Sequence, residues 1–131
     1  MDFDEFRSRL EQAEKSSLAG DDRAALAALT ALAESDLPDL DRALAWVQAA
    51  QAQDRLSDIS AALAAYDRAA SLEAPHRRFQ ASFRKADYLL KLRRTEESRD
   101  LFQSLLSRPE ATLSERHSIE SRLKLLRRVT Q

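Results

Sequence analysis

The chain has 131 residues, 44% hydrophobic and 33% charged, with a formal net charge of −1; this suits one folded domain with a moderate core better than a disordered chain. One glycine, three prolines and no cysteine exclude a disulfide framework, a thiolate zinc site, a cysteine nucleophile and a glycine-rich phosphate loop, and they favour helices joined by short turns. No apolar run approaches the roughly 20 residues that cross a bilayer, and the acidic start MDFDEFRSRL lacks the basic and apolar regions of a signal peptide, so a cytoplasmic protein without a membrane partner is expected.

The first helix is predicted from about Phe3 to Ala19. Asp2 and Glu5 have the spacing of a capping box, and Phe3, Phe6, Leu10 and Ala13 share one face. Gly20 stands where a C-terminal cap belongs, and Asp21 or Asp22 can cap a second helix to about Ser35, ended by Leu37-Pro38. Asp39 or Asp41 opens a third helix to about Gln53. The turn Asp54–Ser57 leads into a fourth helix to about Leu72, closed by Pro75. A fifth helix is predicted from about Arg77 to Leu92, with Phe79, Phe83, Ala86 and Leu90 on one side. Thr95 is read as the cap of a sixth helix to about Leu106, with Leu101, Phe102 and Leu105 buried, and Pro109 closes it. Thr112 and Glu115 form a second capping box before a last helix over about 113–129, with Ile119, Leu123 and Leu126 on one face.

These elements repeat. Ala13, Ala50 and Ala86 are spaced by 37 and 36 residues; Ala25, Ala62 and Ser98 follow at the same spacings, and so do Leu29, Tyr66 and Phe102. Pro38, Pro75 and Pro109 are spaced by 37 and 34. A small residue on each helix lets two helices approach closely, a large one on the second helix fills the gap between units, and proline removes a backbone donor at the end.

On these positions the chain resembles the tetratricopeptide repeat family. Ala50 and Ala86 match its small position in the first helix, Ala62 the small position in the second, Tyr66 and Phe102 its aromatic position, Ala69 the alanine after it, and Pro75 its terminal proline. The glycine between the family's paired helices is missing, the period exceeds the family's usual length of about 34, and Trp46 supports the middle repeat alone. The resemblance implies an all-α, right-handed α-solenoid in a single domain: three hairpins over about 3–38, 39–75 and 76–109 plus a capping helix, about seven helices in all. It further implies a scaffold or adaptor that binds a protein or peptide partner on the concave face, lined by the first helix of each unit. The lining residues would be Arg7, Leu10 and Glu14, then Val47, Gln51 and Asp54, then Phe83, Arg84, Asp87 and Lys91. Leu10, Val47 and Phe83 would form an apolar strip flanked by charges, as a docked helix or peptide needs; the competing reading makes them ordinary core between hairpins. Some members of the family hold a C-terminal carboxylate with paired lysine and asparagine, and this chain contains no asparagine, so that clamp is not carried over.

Charge is unevenly spread. Residues 1–75 carry 15 acidic and 7 basic side chains, net −8, and residues 76–131 carry 7 and 14, net +7. Opposite ends could associate head to tail into a homo-oligomer, or the basic half could attract an acidic partner or nucleic acid; the plainer reading is a solvated surface with local helix pairs such as Glu120 with Lys124. Arg77, Arg78, Arg93 and Arg94, with Arg84, Lys85 and Lys91, make the strongest basic patch, interleaved with Phe79, Phe83 and Tyr88. The helical spacing of those aromatics is a core pattern and no nucleic-acid motif is present, so nucleic acid ranks last.

Catalysis finds little to work with. Pro75 interrupts Glu73-x-x-His76, His117 and Glu120 form a single exposed pair, and no serine sits in a nucleophile elbow. The expected function is therefore non-catalytic, with no cofactor and no metal.

Overall fold

The structure, a computed structural model, describes residues 1–130 and the side chains of residues 1–128. Among the described residues it is all-helical and has no strand: α1 (Phe3–Leu18), α2 (Asp22–Ala33), α3 (Asp39–Arg55), α4 (Ile59–Glu73), a 3-10 turn (Ala74–His76), α5 (Gln80–Lys91), α6 (Thr95–Leu106) and α7 (Leu113–Thr130). None of these helices is long and apolar enough to cross a membrane.

The turns between paired helices are one structure used three times. After α1, the amide of Gly20 donates to the carbonyl of Ser17 at 2.9 Å and that of Asp21 to Ser16 at 2.8 Å. After α3, Ser57 donates to Asp54 and Asp58 to Gln53, both at 2.9 Å; after α5, Arg93 donates to Leu90 at 3.0 Å and Arg94 to Leu89 at 2.9 Å. This pair of bonds is a Schellman motif, which satisfies the last carbonyls of a helix through one left-handed residue. Gly20, Ser57 and Arg93 have φ of 84°, 62° and 62°, so a serine and an arginine are held in the conformation that glycine takes in the first turn. Asp21 and Asp58 then cap the next helices by accepting the amides of Ala24 and Ala61. The third turn has no such cap. Arg94 takes that place, Thr95 is already helical, and no side chain caps α6, which corrects the expected role of Thr95.

Other helix ends differ from expectation for local reasons. The first turn of α3 contains Asp39 and Asp41, but Pro38 stands at its cap position without a side-chain bond. Helix α5 begins at Gln80 rather than Arg77, because Pro75 lies in the 3-10 turn and Arg77 is left-handed at φ 56°. The start of α5 is instead held by Glu73, whose buried carboxylate accepts the amide of Ala81 at 2.8 Å. Phe3 is 66% exposed and does not join Phe6 and Ala13 in the core, and Leu101 is half-buried. The second capping box forms in full: Thr112 accepts from the Glu115 amide and Glu115 from the Thr112 amide, both at 3.1 Å.

The repeat positions are the core. Ala13, Ala50, Ala86, Ala25, Ala62, Ser98, Leu29, Tyr66 and Phe102 are all buried. The chain forms two compact units, Met1–Ala81 and Ser82–Gln131. In unit 1, α1 packs on α2, α2 on α3 and α3 on α4. Helix α3 is the most enclosed, burying five alanines with Trp46 and Val47; Arg68 of α4 lies over the Trp46 ring at 4.7 Å, a cation–π contact. In unit 2, Phe83 meets Phe102 edge-on at 5.5 Å, the Ser98 hydroxyl donates to the Ala86 carbonyl at 2.8 Å, and α7 packs on α6. The guanidinium of Arg116 ties α7 to the end of α6 by donating to the carbonyls of Leu106 at 3.0 Å and Arg108 at 2.8 Å.

The left-handed turns set a stability expectation. A side chain in the left-handed region costs about 1 kcal/mol, so Ser57→Gly and Arg93→Gly should each raise unfolding free energy by up to that amount. Gly20→Ala should lower it similarly, since an added Cβ meets nothing within 4 Å and only backbone strain acts. Urea unfolding followed by circular dichroism measures all three.

Candidate functional site

In unit 1 the first helices of two successive hairpins, α1 and α3, flank an open groove of about 460 Å³. It exists because α2 packs against both and sets the buried Leu29 at its floor. Arg7, Leu10 and Glu14 line it from α1, and Gln48, Gln51 and Arg55 from α3. Four of these six, Arg7, Leu10, Glu14 and Gln51, are among the residues that the resemblance implied for a binding face. Helical spacing puts Arg7, Leu10 and Glu14 on one face of α1, since positions three and four apart share a face, and α2 brings that face beside α3.

The groove's charges are largely spoken for. Arg7 pairs with Glu11 at 3.5 Å, and Arg55 donates to Asp22 at 2.7 Å. That hydrogen bond from Arg55, helped by the arginine's charge and by the Ser17 hydroxyl at 3.2 Å, holds the Asp22 carboxyl below its ordinary range. Glu14 is exposed and is left as the groove's one charge without a partner among the described residues. A half-buried Leu10, two glutamine amides and one carboxylate therefore face the opening.

The other expected lining residues fall elsewhere. Val47 is 6% exposed and belongs to the core of α3, and Asp54 is half-buried in the last turn of the same helix. In unit 2, Phe83 is half-buried between Phe102 and the Arg122 guanidinium, which lies 5.2 Å from its ring. Asp87 pairs with Arg122 at 3.2 Å. Arg84 is exposed on α5, and the Lys91 ammonium sits 6.0 Å from the Tyr88 ring. Of the basic patch, Arg77 and Arg78 belong to unit 1 and Arg93 and Arg94 to unit 2. Arg94 is engaged by both oxygens of Glu97 at 2.7 and 2.8 Å, and this bond lowers the Glu97 pKa.

Unit 2 holds a groove that the repeat count did not anticipate. Asp87 and Leu90 of α5 and Ser121, Lys124, Leu125 and Arg128 of α7 line an opening of about 560 Å³. The signal was present: stepping 36 residues on from Ala86 reaches Arg122, so α7 holds the place of a first helix. Glu73 and His76 do not converge, since His76 faces Asp39 at 3.1 Å while Glu73 caps Ala81. Among the described residues no group of three or more His, Asp or Glu side chains is placed to hold a metal ion. No family model and no curated protein matches the chain.

The Asp22 contact carries a pH dependence with a defined sign. Its pKa is lower in the folded state, so the stabilisation is fully present above the ordinary carboxylate pKa of about 4 and is lost as pH falls through the lower folded value. Asp22→Asn should be less stable than the native chain at pH 6 and should converge with it in strong acid. Urea midpoints taken across that range measure the difference.

Proposed function

We propose that the chain is a non-catalytic scaffold of tetratricopeptide-repeat type, a right-handed α-solenoid acting as an adaptor that holds a protein segment in the α1–α3 groove. The observation that carries this reading is the groove's composition: an apolar floor and wall at Leu29 and Leu10, two amides, and the unpartnered Glu14. Apolar anchors with a few convergent polar groups are what peptide docking uses. The three equal Schellman turns and the buried repeat positions support the repeat class. The preferred ligand is a helix or extended segment that offers one large apolar side chain beside a lysine or arginine. A cysteine-free scaffold needs no oxidative maturation, which suits work in the cytoplasm.

A leucine- and lysine-bearing amphipathic peptide titrated onto the isotope-labelled chain tests this. Amide shifts should cluster at Leu10, Glu14, Gln48 and Gln51, and Glu14→Lys should weaken binding by about tenfold, or 1.4 kcal/mol. Binding that leaves those amides unmoved, or affinity indifferent to Glu14→Lys, overturns the reading.

A further inference from the structure

The two units differ in charge as well as in packing. Unit 1 carries 15 acidic against 9 basic residues, net −6, and unit 2 carries 7 against 12, net +5. The sign of the charge therefore changes within six residues of the boundary between the units, Pro75–His76 against Ala81–Ser82.

On unit 2 the α7 side of the opening shared with Asp87 and Leu90 is a stripe of Ser121, Lys124, Leu125 and Arg128, at i, i+3, i+4 and i+7, all exposed. Leu125 is 48% exposed, so an uncovered leucine stands beside two cations on one helix face. The neighbouring Arg122 is held by Asp87, which leaves Lys124 and Arg128 as the charges of the stripe. That is the chemistry the unit 1 groove is built to take: one apolar side chain for Leu10 and one cation for Glu14.

We propose that the groove between α1 and α3 receives the α7 stripe of a second copy of this chain, with Leu125 against Leu10 and Lys124 or Arg128 against Glu14. The proposal rests on the groove reading above and names its occupant. The two surfaces are different, so a single groove-to-stripe contact leaves one free groove and one free stripe that can take further copies. Opposite net charges steer the encounter, and salt screens it, since the Debye length falls from about 10 Å at 0.1 M to about 3 Å at 1 M.

Sedimentation of the chain over a range of concentrations, in low and in high salt, tests the proposal. Mass should grow with concentration in low salt and fall back toward the monomer in high salt. Lys124→Glu with Arg128→Glu on one face, or Glu11→Lys with Glu14→Lys on the other, should each weaken association by about tenfold or more, with helical circular dichroism unchanged. Mixing the two reversed proteins should restore the growth in mass, because each then offers the other complementary faces; a variant that had merely misfolded would not be rescued. A monomer at every concentration in low salt, association that survives either reversal, or failure of the mixture to recover overturns the proposal. The peptide titration separates the two readings: a monomeric chain that still binds the leucine–lysine peptide at Leu10 and Glu14 loses self-docking and keeps the groove, whereas a chain that does neither loses both.

Discussion

Two helices can approach only as closely as the side chains between them allow, and here that limit is set by alanine. Ala13, Ala25, Ala50, Ala62 and Ala86 are buried, with Ser98 in the sixth place. Each contributes little area, at about 0.8 kcal/mol per buried methylene-sized group, but each lets backbones come together so that larger neighbours fill the remaining space. Leu29, Tyr66 and Phe102 do that filling from the second helices. Ser98 holds the same place at the expense of a buried hydroxyl, offset by its bond to the Ala86 carbonyl. The α1–α3 groove follows from this spacing, since α2 packs tightly against both helices and leaves an opening above Leu29.

Much of this was legible in the chain. Spacings of 37 and 36 residues picked out nine positions, Ala13 to Phe102, that are all buried, because a repeated packing solution repeats its residue types. The same spacings run through Gly20, Ser57 and Arg93, yet serine and arginine carry no propensity signal for a left-handed residue, so in two of the three turns the turn was legible and its left-handed residue was not. Helix starts were less readable where the capping group came from another element. Thr95 invited a cap that the structure does not use, and the start of α5 depends on Glu73, eight residues before Ala81.

The site divided along similar lines. Arg7, Leu10 and Glu14 share one stripe of α1 by helical periodicity, and the packing of α2 against both helices brings that stripe beside Gln51 of α3. Val47 sits one turn before Gln51 and was a candidate for the same surface, but α3 is packed by helices on two sides and encloses it. Periodicity cannot tell an apolar residue that lines a groove from one that lies beneath it. Nor could it foresee the Arg55–Asp22 contact, which joins residues 33 apart through tertiary packing. The Arg7–Glu11, Arg9–Glu5 and Arg68–Glu34 pairs are exposed, and such pairs contribute little to stability. Charge in this molecule matters more as a field spread over each unit than as a set of bonds.

Trp46 is the chain's single tryptophan, buried in unit 1 beneath the Arg68 guanidinium, whereas the two tyrosines are divided, Tyr66 in unit 1 and Tyr88 in unit 2. The protein therefore carries its own optical label on one side of the boundary. Light absorbed by indole alone reports the packing of α3 and α4, while far-ultraviolet ellipticity averages over helices of both units. A melt followed by the two signals is in effect a comparison of one half with the whole, and it needs no added dye.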